Sequence, residues 1–320
     1  MTITFSSTFR EDLERFVSQK RAVGFPYDAS ERILGVFDRF CLEHYPNERQ
    51  LGIDIAMHWA EIRPGEHVNT FIRRITPVRQ FAKYLLSVGT EAYVIPDGIP
   101  SKGIRYVPHI YTKDELKLFF SALDQLCYDV NSPARQLVAP VIFRLLYCCG
   151  LRSSEVIGLK VENVDLTNGT LRILESKGHK DRIVMMSHDV LSLCQIYHQR
   201  VSSIWPNRRY FFPNHRGERY SEGFLWYTFH KCWREANVGP ISGNTPRVHD
   251  FRHAFAVHRL NEWVKENKDI NAYLPYLSMY LGHEHLGETD YYLHLVPEFF
   301  PILLSASEER FSHLIPEVNQ

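Results

Sequence analysis

Apolar positions recur at helical spacing through the first ninety residues. Leu13, Phe16 and Val17 form one stripe, Ile33, Leu34, Phe37, Phe40 and Cys41 a second, and residues 54–62 a shorter third. Phe71, Ile75, Val78, Phe81 and Leu85 make a fourth, ending near Gly89. A period near 3.6 with polar residues between predicts four amphipathic helices, each burying one face. Pro77 lies inside the fourth stripe and is expected to bend or divide it, because proline lacks the backbone donor and crowds the preceding turn. Pro96, Gly98, Pro100, Gly103 and Pro108 then follow within a few residues of one another. That density of helix breakers predicts a linker over residues 96–108, separating residues 1–95 from residues 109–320.

Past the linker the pattern restarts. Thr112-Lys113-Asp114-Glu115 reads as a capping box, in which a hydroxyl and a carboxylate satisfy the free N–H groups at a helix start. Residues 134–149 are apolar on most sides and stop at Gly150, as a buried central helix would. Residues 164–166, 171–174 and 182–186 read as three short strands, the first two joined through Asn168-Gly169, a strong hairpin signal. Residues 210–220 read as a hairpin or loop around Asn214 to Gly217, and helical patterns resume from about His188 to the end.

Composition narrows the class. A hydrophobic fraction of 44% and a charged fraction of 23% describe an ordinary globular chain. No apolar run reaches the ~18 residues that a membrane-spanning helix needs, and the first residues lack an export pattern, so a cytoplasmic protein is expected. The six cysteines show no Cys-x-x-Cys spacing and are expected to be reduced thiols. Net charge is zero, which by itself argues against a nucleic-acid partner. Its distribution answers differently. Residues 67–90 hold Arg73, Arg74, Arg79 and Lys83 with no acid, the linker adds Lys102 and Arg105, and Arg200, Arg208, Arg209, Arg216 and Arg219 cluster against Glu218. Local basic faces hold phosphates even when the sum vanishes.

The chemistry concentrates in four short stretches: Gly150-Leu151-Arg152-Ser153-Ser154-Glu155, His249-Asp250-Phe251-Arg252, Leu281-Gly282-His283 and Tyr291-Tyr292. Arginine is permanently charged and grips phosphate oxygens with a planar fork. Histidine exchanges protons near neutral pH, and a phenol can carry phosphate covalently. On a helix His249 and Arg252, three apart, share a face. His249 and His253 also have the spacing of metal ligands, but the glutamate of a His-Glu-x-x-His motif is missing, so no metal is expected.

Taken in order, these stretches resemble the catalytic domain of the tyrosine recombinases, the phage-integrase class of DNA strand-exchange enzymes, over residues 111–297. The resemblance implies a mainly α fold: an N-terminal four-helix core-binding domain, then an α+β catalytic domain with a small three-stranded antiparallel sheet. It implies Arg152 and Arg252 as phosphate clamps, with Glu155 supporting Arg152. His249 becomes proton acceptor or hydrogen-bond donor, and His283 the third phosphate contact. Lys177 would be the hairpin lysine that protonates the departing 5′-oxygen, with Lys180 and Arg182 close by. Tyr292, nine residues after His283, takes the nucleophile's register over its neighbour Tyr291. The implied activity is site-specific recombination or integration through a 3′-phosphotyrosyl link, with neither metal nor ATP, on double-stranded DNA. A tetramer on two duplexes in the nucleoid is implied as well. A type IB topoisomerase-like enzyme and a catalytically silent DNA-binding regulator are the alternatives. Arg73, Arg74, Arg79, Lys83, Lys102 and Arg105 are the expected DNA-backbone contacts. The tail carries Leu303, Leu304, Phe311, Leu314 and Ile315, a stripe able to dock on a neighbouring subunit or on its own domain. In one respect the chain departs from the family: the interval between Arg252 and His283 is long, with polar residues 261–269 ahead of the apolar helix.

Overall fold

Four amphipathic stripes become four helices: α1 (Arg10–Ala22), α2 (Asp28–His44), α3 (Ile53–Trp59) and α4 (Val68–Ser87). They belong to a computed structural model that describes residues 3–99, 103–104, 106–174, 181–239 and 245–296. Two compact units emerge, Met1–Tyr106 and Val107–Gln320. The first is the four-helix unit, closed around Phe16, Leu34, Phe37, Trp59, Ile75 and Phe81, all nearly without solvent contact. Of the two expected outcomes, a bend or a division, the division does not occur: α4 runs as one helix through Pro77. Pro77 is itself buried in this core, so packing holds a helix that local propensity disfavours.

The second unit starts with the capping box, fully formed at α5 (Lys113–Asp124): Glu115 N–H donates to Thr112 Oγ1 at 3.2 Å, and Thr112 N–H to Glu115 Oε2 at 2.7 Å. Helix α6 (Arg135–Cys148) is the central buried rod, with Val138, Ile142, Phe143 and Leu146 inside. Gly150 ends it in the left-handed region, at φ 59°, where a side chain is strained. A Cβ there would also sit 2.7 Å from the Phe255 ring, so glycine is required twice over.

After the short α7 (Ser153–Gly158) comes an antiparallel sheet in the order β1 (Val164–Asp165), β2 (Thr170–Ile173), β3 (Arg182–Met185). Gly169 closes the first hairpin at φ 68°. Helices α8 (His188–Ser202) and α9 (Glu222–Glu235) flank the loop of residues 210–220, which turns back through the Pro213–Arg219 bridge. Helices α10 (Asp250–Lys265) and α11 (Ile270–Leu281), the short α12 (Gly287–Asp290) and a 3-10 turn, Tyr291–Leu295, complete the described fold. The long interval after Arg252 proves to be the end of α10 and the turn into α11, capped by Asp269. All six thiols are free, and Cys127 and Cys148 are the two exposed ones. No described helix is long and apolar enough to cross a membrane.

Candidate active site

Phe251 sets the site, although it takes no part in chemistry. It is completely buried against Tyr111, Phe119, Phe143 and Phe229, with ring centroids 4.6 to 5.9 Å away. Each residue of an α-helix is rotated by about 100° from the last, so anchoring Phe251 fixes where its neighbour Arg252 points. Tyr111 secures the approach as well, its hydroxyl donating to the Arg247 carbonyl at 2.9 Å.

Arg252, only 2% exposed, donates to the carbonyl of Gly150 at 2.7 Å and to that of Leu281 at 2.5 Å. Arg152, at the start of α7, donates to the very next carbonyl, Gly282, at 2.9 Å. One turn, Leu281-Gly282, thus steadies both guanidiniums. Gly282 adopts φ 67°, and a Cβ there would meet the Arg182 guanidinium at 3.1 Å. The motif Leu281-Gly282-His283 is therefore a backbone clamp for two arginines as much as a carrier of one histidine.

Glu155 holds the base of this array. Its carboxylate accepts from Arg152 at 2.9 Å and from both ends of the Arg182 fork at 2.8 Å. Burial pushes its acidity toward the neutral form, but the hydrogen bonds and charge of Arg182 and the Arg152 N–H prevail, holding its pKa at about 2. Arg182 also donates to the Tyr280 carbonyl at 2.8 Å. Proximity in sequence to Lys177 made Arg182 look like a rival for the hairpin cation. It is instead a buried brace for Glu155, and only the folded chain brings residues 155, 182 and 280 together.

The charges do not balance. Glu155 answers Arg152 and Arg182 directly, while among the described residues the hydrogen bonds of Arg252 go to carbonyls. Burial, then the charge of Arg152, lowers the pKa of Arg252 to about 10. Such a pocket is built for an anion.

Three histidines and the phenol surround it. His283 bonds Thr289 Oγ1 through Nδ1 at 2.7 Å, and its ring stacks 6.1 Å from that of Tyr292. Tyr292 is buried, 3% exposed, on the 3-10 turn packed against α10. Burial raises the phenol's pKa, and Arg252 and Arg152 oppose that rise. Its hydroxyl lies 3.0 Å from His253 Nδ1. His249, expected as proton acceptor or hydrogen-bond donor, stands at the N-cap position of α10 with its ring 4.8 Å from His253 and open to solvent. The packed surroundings, then Arg252 and Arg247, bring its pKa down to about 4 even so. His253 is the member that sequence reasoning missed. Its one signal was its place a helical turn from His249. Among the described residues no three His, Cys, Asp or Glu side chains gather as a metal site.

Arg152, Glu155, His249, Arg252, His283 and Tyr292 thus meet at one place, while Lys177 lies outside the described residues. The expected DNA contacts divide. Arg73 and Lys83 are exposed. Arg74 is buried, sandwiched between Trp59 and Phe71, and spends its donors on Glu66, on the Glu61 carbonyl at 2.8 Å and on the Trp59 carbonyl. Arg79 is tied to the carbonyls of Ile95 and Pro96, each at 2.8 Å, and of Ile99. Both are internal clamps. Arg208 likewise turns inward, toward Ser202, Trp205 and His198. Lys102 and Arg105 lie outside the described residues.

A buried phenol and two carbonyl-steadied arginines thus share one part of a helical scaffold, a set of groups able to attack a phosphodiester. Comparison with known proteins agrees. Residues 110–298 match the phage integrase family. A putative integrase/recombinase of Sinorhizobium fredii, y4rB, is 28% identical over 95% of this chain and 98% of its own. The tyrosine recombinase XerD of Pseudomonas aeruginosa is 32% identical over 73% of this chain and 74% of its own. Among solved structures, the XerH site-specific recombinase bound to its palindromic difH substrate has a TM-score of 0.66 at 19% identity. That match covers 94% of this chain and 84% of XerH. A lambda integrase dimer bound to a core site has a TM-score of 0.63 at 14% identity, over 88% and 94%. The chain belongs to the phage integrase family and is a tyrosine recombinase, an enzyme that cuts and rejoins DNA.

Proposed function

We propose that this enzyme recombines DNA at a specific site, with Tyr292 as nucleophile and Arg152, Arg252 and His283 holding the attacked phosphate. The phenol oxygen attacks phosphorus, a 3′-phosphotyrosyl bond replaces the phosphodiester, and a 5′-hydroxyl departs. Lys177, which falls between β2 and β3 in the sequence, would protonate that oxygen. A partner strand's 5′-hydroxyl then reverses the step. One phosphoester replaces another, so no ATP is consumed. The single observation that carries the reading is the excess of positive charge around the Tyr292 phenol, fixed by consecutive carbonyls of one turn. Preorganised donors aimed at developing phosphorane charge are usually the largest catalytic term.

The same reading places the chain in the DNA-containing compartment, the nucleoid. Arg73 and Lys83 contact the DNA backbone, Lys102 and Arg105 add to this from the linker, and four copies assemble on two duplexes. The tail stripe from Leu303 to Ile315 joins neighbouring copies or folds on its own unit. The test is direct. A duplex carrying the junction that flanks the gene, nicked just beyond the scissile phosphate, is incubated with the enzyme in EDTA. A covalent protein–DNA adduct is expected, lost in Tyr292→Phe with DNA binding retained. An adduct that survives in Tyr292→Phe but not in Tyr291→Phe moves the nucleophile by one position. A silent regulator forms none, and chelator-sensitive cleavage defeats the mechanism.

A further inference from the structure

We propose that His253, rather than His249, accepts the proton of the Tyr292 phenol as that oxygen attacks phosphorus. This rests on the reading of Tyr292 as the nucleophile. Three histidines surround the phenol, and their contacts separate them. His283 has its Nδ1 committed to Thr289 and meets Tyr292 only ring to ring. His249 stands beyond His253, open to solvent, and makes no hydrogen bond to Tyr292 among the described residues. Among the described residues His253 alone hydrogen-bonds the reacting oxygen, at 3.0 Å, within the usual reach of a general base.

The proposed role requires one tautomer. A neutral imidazole donates from one nitrogen and accepts at the other, so Nδ1 receives the phenol hydrogen while the ring's own proton sits on Nε2. The groups facing His253 are His249, Arg252 and Arg247 around the start of α10, His283 after α11, and Tyr292 on the 3-10 turn. Burial, then these positive or protonatable neighbours, lowers its pKa to about 3, so the ring is neutral before DNA binds. A bound phosphodiester brings a negative charge to Arg152 and Arg252 and offsets the repulsion that keeps His253 a weak base. Basicity thereby rises when the substrate arrives.

The step balances. The phenol O–H bond breaks and its proton moves to Nδ1. The oxygen's electron pair forms the new bond to phosphorus. The bond from phosphorus to the 5′-oxygen breaks, and that oxygen leaves with its electrons and takes a proton from Lys177. On rejoining, the imidazolium of His253 returns its proton to the departing phenolate.

The trapping duplex described above separates this idea from the one beneath it. Wild type must form the adduct and Tyr292→Phe must not; failure there sinks the nucleophile assignment, not the role of His253. His253→Asn keeps a polar group near Tyr292 but cannot take up a proton. It is expected to bind DNA normally and cleave about 10²–10⁴-fold more slowly. Its rate should also lose the fall at acid pH that protonation of His253 imposes on wild type. Added imidazole should partly restore His253→Ala. Wild-type cleavage and an unchanged pH profile in His253→Asn overturn the proposal. So does slow cleavage that keeps the wild-type pH profile and ignores imidazole, because that result describes a packing role.

Discussion

Arginines hold backbone carbonyls in both units, with opposite results. In the first unit Arg74 is closed off: Glu66 meets it at 2.7 Å, carbonyls take further donors, and two aromatic faces cover it. Its charge is neutralised where it stands, and the hydrogen bonds of Arg74 keep Glu66 ionised, its pKa below the usual range. In the second unit Arg152 and Arg182 share one carboxylate, Glu155, and Arg252 beside them is held by carbonyls. The shared device is the carbonyl anchor. What separates a structural arginine from a working one is whether the charge has already been answered.

Substitution in the first unit should break this contrast most visibly. Arg74→Met removes the ion-pair partner of Glu66 and leaves it the Arg63 N–H, which costs about 3–5 kcal/mol. Thermal or urea unfolding should show the loss in residues 1–106, while the cleavage rate of bound DNA stays near wild type. Arg252→Met should invert that pattern, slowing adduct formation by about 10²–10³-fold in single-turnover assays with DNA bound. Equal effects of the two on stability and on rate would erase the distinction.

Acid sharpens it further. The folded pKa of Glu155 lies near 2, below its unfolded value, so the stability it supplies is fully present above about pH 5 and drains away as pH falls toward 2. At about 1.4 kcal/mol per pKa unit this amounts to roughly 3 kcal/mol. Glu155→Gln should lack that share of the acid dependence when unfolding is followed from pH 5 downward. The smallest effect belongs to the exposed cations. Arg73→Ala or Lys83→Ala should each reduce the salt slope of DNA binding by about 0.9, with little change in the rate of cleavage.

Much of this site was legible before folding, and the failures have physical causes. Arg152, Arg252, His283 and Tyr292 announce themselves because their local motifs carry both side chain and support: a glycine before, a glutamate three residues after, an apolar helix ending in Leu-Gly. The strands were legible from Asn168-Gly169 and flanking alternation. Arg74 was misread by the edge of a window. A count over residues 67–90 finds cations without acids, yet its partner Glu66 stands one residue outside. Arg79 likewise reaches residues 95–99, beyond the same boundary. Arg182 and His253 show the deeper limit. Their partners, Glu155 and Tyr292, are 27 and 39 positions away, and no local pattern encodes such a meeting. Pro77 shows the reverse: local rules allowed a division of the helix, and the helix runs on through a buried proline.

The Leu281-Gly282 turn makes the two arginines it holds, Arg152 and Arg252, a single inheritance. Side chains along α11 can drift so long as the helix stays docked, since what its end offers Arg152 and Arg252 is main-chain oxygen. Length is another matter. Removing one residue from α11 swings its end by about 100° and withdraws both oxygens together. In this stretch evolution is free to respell the helix, but not to shorten it.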